Sequence, residues 1–255
     1  MNRILALLII LISSLSFAAD KVITLTADQW CPWNCVENAE KPGIAVELAK
    51  AIYEPLGYKV KYVTMPWHQA IEAVARGEMD ALIAADHTMS EVKNFHFPQT
   101  PISSFDDVYL LKKESDFTYK NIQSLNGKII GIVEDYHFGG EIGKYIDANY
   151  KNPKIIFQAT EAEDAKQNID ALINNKIDMY IDNKEVVLYT ANQLGISDKV
   201  KVGGSLQEYP NHYYLAFSPF EKSKVLAKLY DEGIEKLKVN GEYKKIFDKY
   251  IPTSN

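Results

Sequence analysis

The sequence predicts a two-lobed α/β protein, and three observations carry that expectation. A β-α-β-α-β rhythm runs over residues 21–84, and a second over 128–181. Short apolar stretches at 108–111 and 213–217 bracket the second unit. Two amphipathic segments, 221–239 and 242–249, close the chain. Alternating strands and helices indicate a parallel or mixed sheet covered by helices. Two such units joined by strands indicate two lobes, with a ligand held between them at the strand ends.

Each element has a local reason. Residues 21–27 (KVITLTA) alternate and are rich in β-formers, so they read as a strand. The loop 28–43 holds Cys31, Cys35, Trp30, Trp33 and two prolines. A helix over 45–56 places Ala45, Leu48, Ala49, Ile52 and Leu56 on one face, and Gly57 stops it. Residues 59–64 alternate again. The helix over 67–76 turns Ala70, Ile71 and Val74 inward, with Trp67 packing it on the sheet, and Gly77 ends it. Residues 79–84 form a buried strand. Residues 108–111 form a short apolar strand. After a turn at 125–127, strands at 128–133, 154–157 and 176–181 alternate with helices at 139–149, 161–174 and 184–194. The helix over 161–174 points Ala162, Ala165, Ile169, Leu172 and Ile173 inward.

Composition limits the function. The chain has 255 residues, 47% hydrophobic and 24% charged, enough for a real core. Arg3, the apolar run 4–12 and the small residues 13–19 have the layout of a cleavable signal peptide, with a cut after Ala18. The apolar run is too short to span a bilayer, and no Cys follows it, so a lipid anchor is not indicated. The formal charge is −6, and removal of residues 1–18 takes away Arg3 and no acid. That acidity argues against nucleic acid and anionic membrane as partners. Cys31 and Cys35 are separated by three residues, which favours a structural disulfide over a redox pair, and no neighbouring His or Cys suggests metal. His87, His96 and His137 have no metal-ligand spacing, so neither metal nor cofactor is expected.

Several motifs resemble the periplasmic solute-binding proteins of polar amino-acid ABC transporters, extracellular family 3. They are GIAVELAKAI at 43–52, Pro66-Trp67, Gly77-Glu-Met-Asp80, LNGKIIGIV at 125–133, Asn174-Asn-Lys-Ile-Asp178 and NGEYKKIFDKY at 240–250. The resemblance implies a periplasmic-binding-protein type II fold, two β-sheet lobes covered by helices. Lobe one would be 19–108 and 216–255 and lobe two 109–215, linked by strands crossing near 108–112 and 213–217. It implies a monomeric, non-enzymatic periplasmic protein that holds a small polar solute and presents it to an inner-membrane ABC permease. A dehydratase-like enzyme on the same fold, or a protein presenting a ligand to a sensor, are the other readings.

The resemblance also assigns site residues. Its amino-acid binders hold the α-carboxylate with an Arg in Thr-x-x-Arg. Here that motif reads Thr88-Met89-Ser90-Glu91, with Phe97 at the matching Phe position. Glu91 would repel a carboxylate, and Lys93 nearby lacks the bidentate fork of Arg. The second carboxylate contact, Gly-Thr in the family, falls on Asp135-Tyr136. The ammonium-binding Asp falls on Asn183, with Asp182 beside it, and both are candidates. The predicted cleft therefore gathers Asp86, Glu91, Glu134, Asp135 and Asp182. Trp30 aligns with the ring that stacks on the ligand, Trp33, Tyr136 and Tyr180 add ring faces, and His87 and His137 are possible polar contacts. Rings with carboxylates suit an ammonium or guanidinium group.

Overall fold

Two five-stranded sheets with the same internal layout organise the chain. The computed structural model describes residues 21–86, 89–136, 138–160, 164–206 and 211–251. The chain opens with β1 (Lys21–Ala27), α1 (Ile44–Tyr53), β2 (Tyr58–Thr64), α2 (Trp67–Ala75), β3 (Ala81–Ala85) and β4 (Ser103–Phe105). Then come β5 (Asp107–Lys112), β6 (Ile130–Val133), α3 (Gly140–Asn149), β7 (Ile156–Ala159), α4 (Asp164–Ile173), β8 (Met179–Asn183), α5 (Lys184–Gln193) and β9 (Val200–Ser205). The chain closes with β10 (Asn211–Phe217), α6 (Glu221–Val239) and α7 (Glu242–Asp248).

The first sheet has the order β2-β1-β3-β10-β4 and the second β7-β6-β8-β5-β9. In each, three parallel strands are followed by a strand antiparallel to them and an edge strand that pairs antiparallel with it. The chain passes between sheets at Asp106, which separates β4 from β5, and again between Ser205 and Asn211. Strands 108–112 and 213–217, expected to cross, each lie within a single sheet. The C-terminal helices pack with α1 and β10 on the first sheet, where Leu226, Tyr230, Ile234 and Ile246 join Ile23, Leu48 and Ile52 in one core.

The two lobes solve one local problem with different residues. After α2, Gly77 takes φ +73° and Glu78 N–H bonds back to the Ala73 carbonyl at 2.9 Å. After α4, Asn175 takes φ +59° and Lys176 N–H bonds to the Ala171 carbonyl at 2.8 Å. Both are left-handed helix stops, and Asn is the side-chain-bearing residue that best tolerates that conformation. Three residues on, Asp80 accepts bonds from the Thr24 N–H at 2.9 Å and hydroxyl at 2.8 Å. Its counterpart Asp178 accepts from Ile129 N–H at 2.8 Å. Each aspartate ties the entry to a central strand to its neighbour. This is why β3 begins at Ala81 and β8 at Met179, later than alternation alone suggested.

Three further details depart from the sequence expectation. Leu56 is exposed rather than inward, because α1 gives way at Glu54-Pro55 to a 3-10 turn that rotates it out. β4 (SSF) and β9 (VKVGGS) carry too little apolar alternation to be recognised. In β9 the glycines serve a close approach: a Cβ on Gly203 would lie 2.0 Å from the Tyr109 ring. Ala162 lies outside the described residues, while Ile169 and Leu172 are fully buried as expected.

Candidate functional site

A cavity of about 370 Å³ opens between the sheets. Its walls are strand ends. Asp28 and Trp30 follow β1, Asp86 follows β3, Tyr136 and Phe138 follow β6, and Asp182 lies near the end of β8. Asp107 at the start of β5 and Tyr213 in β10 complete it from the crossing side. Five carboxylates line it: Asp28, Asp86, Glu91, Asp107 and Asp182. Five rings line it as well: Trp30, Trp67, Tyr136, Phe138 and Tyr213. Among the described residues, no Lys or Arg does.

Local structure explains several of these positions. Between Leu82 and Ala85 the pairing of β3 with β10 slips register, and Ala84 adopts φ +63°. Such a bulge re-aims the following residues, and Ala84 and Asp86 both reach the cavity wall. The loop after β1 is held by the Cys31–Cys35 disulfide. Backbone bonds from Trp30 N–H to the Asn34 carbonyl (2.7 Å), Ile44 N–H to Pro32 (2.9 Å) and Ala45 N–H to Trp33 (2.9 Å) fix it onto the start of α1. Gly43 makes that approach possible: at φ +115°, an added Cβ would lie 2.5 Å from the Trp33 carbonyl oxygen.

Among the described residues, three side-chain hydrogen bonds join the lobes. Trp30 Nε1 donates to Asp182 Oδ1 at 3.0 Å, Trp33 Nε1 donates to Asn183 Oδ1 at 3.0 Å, and the Tyr136 hydroxyl donates to Asp28 Oδ2 at 2.8 Å. Asp182 also accepts from its neighbour's N–H at 2.6 Å and bonds the Tyr180 hydroxyl. Burial nonetheless dominates its titration and pushes its pKa up to about 6 against those bonds. Asp28 keeps part of its surface open to the cavity, but protein encloses the rest. That desolvation, with a smaller contribution from Asp182, raises it to about 6 in spite of the Tyr136 bond.

The predicted site residues divide. Trp30, Asp86, Glu91, Tyr136 and Asp182 are brought together around the cavity. Trp33 and Asn183, expected in the cleft, do not line this cavity. Trp33 is sealed in the core against Phe105, at a ring separation of 4.4 Å. Asn183 caps α5, its Oδ1 accepting from Glu185 N–H (3.0 Å) and Val186 N–H (3.3 Å). His137, like His87, lies outside the described residues. Glu134 and Asp135 are exposed and away from the cavity wall, with Asp135 3.8 Å from His68 across the lobes. Lys93 is exposed and does not line the cavity. Tyr180 is wholly buried behind Asp182.

Trp67 was expected only to pack α2, and it lines the cavity as well. Asp28, Asp107, Phe138 and Tyr213 were missed. Asp28 had a usable signal, being the first residue past a predicted strand of an α/β unit. Asp107 sits beside a crossing whose position the sequence does not reveal.

The family model of bacterial extracellular solute-binding proteins, family 3, matches residues 22–253. The chain is 29% identical over 252 residues to ABC transporter arginine-binding protein 1 of Escherichia coli strain K12, covering 95% of this chain and 96% of that one. Its fold is similar to that of an amino-acid ABC transporter substrate-binding protein from Streptococcus pneumoniae, solved bound to L-arginine. That match has a TM-score of 0.70 at 20% identity over 91% of this chain and 94% of the other. It is also similar to a histidine kinase sensor domain described as resembling periplasmic binding proteins, with a TM-score of 0.72 at 16% identity over 91% and 96% of the chains. At such identities the two structures show a shared fold. The family match spans nearly all of the described residues, and the chain belongs to the bacterial extracellular solute-binding proteins, family 3.

Proposed function

We propose that this protein captures a small organic cation between its lobes and delivers it to an ABC importer in the inner membrane. The observation that carries the reading is the cavity wall, with five carboxylates and no Lys or Arg among the described residues. A cation about 4 Å from a carboxylate gains roughly 4 kcal/mol near a protein surface, before desolvation is subtracted. An aromatic face adds about 0.5–2 kcal/mol for the same charge. Both interactions disfavour an anion at the same place. The Escherichia coli relative named for arginine supports a basic ligand, since arginine carries a guanidinium.

The role is binding and release rather than catalysis, in a monomer that works in the periplasm. Support for export comes from the composition of residues 1–18, which lie outside the described residues. The lobes would follow the two sheets, with the chain exchanging between them at Asp106 and again between Ser205 and Asn211. Trp30, Asp86, Glu91, Tyr136 and Asp182 are the proposed ligand contacts, joined by Asp28, Asp107 and Trp67.

A thermal-shift screen tests the proposal, because a ligand that binds only the folded state raises its melting temperature. Basic amino acids, amines and guanidines are expected to shift the transition, and neutral or acidic amino acids are not. A screen in which neutral or acidic amino acids stabilise the protein and basic solutes do nothing would overturn it.

A further inference from the structure

We propose that Asn34, which does not line the cavity, is a positioning residue that holds Asp28 in the cavity wall. The proposal rests on this cavity being where the solute binds. Asn34 lies between Trp33 and Cys35 and is fully buried. Its Nδ2 donates to the Asp28 backbone carbonyl at 2.5 Å. The Tyr62 hydroxyl, from β2, donates to the same carbonyl at 3.3 Å. Pairing of β1 with β2 ends at Ala27, so the sheet ladder no longer fixes the chain at Asp28. The two donors take over that task, and the direction of the Asp28 side chain follows from the carbonyl they hold. From that position Asp28 lines the cavity, and its Oδ2 accepts from the Tyr136 hydroxyl of the second lobe at 2.8 Å.

Asn34 is itself held from several sides. Its backbone pairs with Trp30 in both directions, the Trp30 N–H donating to its carbonyl at 2.7 Å and its own N–H to the Trp30 carbonyl at 3.2 Å. The Cys31–Cys35 disulfide closes the turn around it. The start of α1 presses on it, since a Cβ added to Gly43 would lie 2.6 Å from its Cα. A contact residue aimed by a locked neighbour keeps its productive geometry. The Asn34 Oδ1 has no hydrogen-bond partner among the described residues, so the amide acts through Nδ2. Asn168 offers an internal control. It too is fully buried, and its Nδ2 donates to the Ile132 carbonyl at 3.0 Å. Neither Asn168 nor Ile132 lines the cavity. Of these two buried amides, only Asn34 holds a residue of the cavity wall.

Two double-mutant cycles on the exported protein test the proposal, because residues that act through one another lose additivity. The first needs no ligand. Asn34→Ala lets Asp28 turn away from Tyr136, so the drop in melting temperature caused by Tyr136→Phe is expected to shrink by about half or more in that background. The second cycle uses isothermal titration with L-arginine as the probe. Asn34→Ala is expected to weaken arginine binding about fivefold, the equivalent of one neutral hydrogen bond. With Asp28→Asn already present, the same substitution is expected to change affinity by less than about twofold. Asn168→Ala is expected to lower the melting temperature comparably and leave arginine affinity unchanged. Asn34→Ser keeps a donor on a shorter side chain; it should recover part of the loss, and it carries both cycles if Asn34→Ala does not fold. Losses that combine independently in either cycle overturn the proposal, as does an equal affinity loss in Asn168→Ala. If the wild-type protein does not bind arginine, the failure lies with the proposed solute class, and the ligand-free cycle alone decides the role of Asn34.

Discussion

Trp30 and Trp33 lie three residues apart on one stapled loop and make the same bond. Each indole donates at 3.0 Å to the side-chain oxygen of a residue at the end of β8, Asp182 for one and Asn183 for the other. Their surroundings then diverge. Trp30 and Asp182 form part of the cavity wall. Trp33 is closed off by Phe105 and Phe247, and Asn183 is occupied in capping α5. One step along a strand turns a side chain to the opposite face, and here that step separates a cavity-lining carboxylate from a helix-capping amide. Both pairs join the lobes, and of the two only Trp30–Asp182 also borders the cavity.

Substitutions at the sealed pair are expected to act on stability, and those at the open pair on binding. The largest effect is predicted for Trp33→Ala, which removes a fully buried indole at a cost of about 3–5 kcal/mol. Urea unfolding monitored by circular dichroism would show it, and a loss below about 1 kcal/mol would break the contrast. Next is Asp182→Asn, expected to weaken a cationic ligand by roughly 10- to 100-fold through loss of a charge-assisted bond worth about 1.5–3 kcal/mol. The ligand-free melting temperature of this variant should hold or rise, since it relieves a desolvated carboxylate. Asn183→Ala should do the reverse, destabilising by about 1–3 kcal/mol through the lost cap and the orphaned Trp33 N–H while changing affinity little. Equal affinity losses in both variants would mean the two pairs act as one unit.

A third test uses pH. The pKa values of Asp28 and Asp182, raised to about 6, stand above the ordinary value of 3.8. Between those values the folded, empty protein holds protons that the unfolded chain has released. Its stability therefore rises as pH falls through that window. Cation affinity moves the other way, because the ligand favours the ionised acids. The ligand-induced rise in melting temperature should shrink from about pH 7.5 to about pH 5, with up to roughly tenfold weaker binding for each carboxylate protonated. A rise that stays constant over this range would place neither acid in contact with the bound charge. The smallest effect belongs to Tyr136→Phe, which removes one lobe-to-lobe hydroxyl bond worth about 1 kcal/mol. Small-angle scattering of the ligand-free variant should show a shift toward a more open form.

Much of this architecture was legible because its causes are local. KVITLTA becomes β1 with the expected bounds, and the last two helices lie where their apolar periodicity places them. Asn174-Asn-Lys-Ile-Asp178 resembled a family motif without its glycine, and Asn175 at φ +59° takes the left-handed conformation that a glycine would supply. The binding wall was less legible. Glu91 stood out because a carboxylate occupies a position where the family resemblance implies a guanidinium, and it does line the cavity. Glu134 and Asp135 looked equivalent to it in sequence, yet they point to solvent because the turn after β6, with Asp135 at φ +63°, carries them off the wall. Trp67 was read as packing alone because a helical face can meet a core on one edge and a cavity on the other.

By itself, the sequence determined the two-lobed α/β class, the family resemblance, the stapled aromatic loop and the replacement of a cationic anchor by Glu91. Those features depend on periodicity, spacing and residue type, which act over a few neighbours. Only the tertiary structure decided that Asp182 rather than Asn183 meets the cavity, and that Asp28 and Asp107 join it. It also decided that Trp33 belongs to the core. Each of those outcomes depends on which face of a strand meets the other lobe, and that is set by sheet register and the crossings at Asp106 and beyond Ser205, which join residues more than a hundred positions apart.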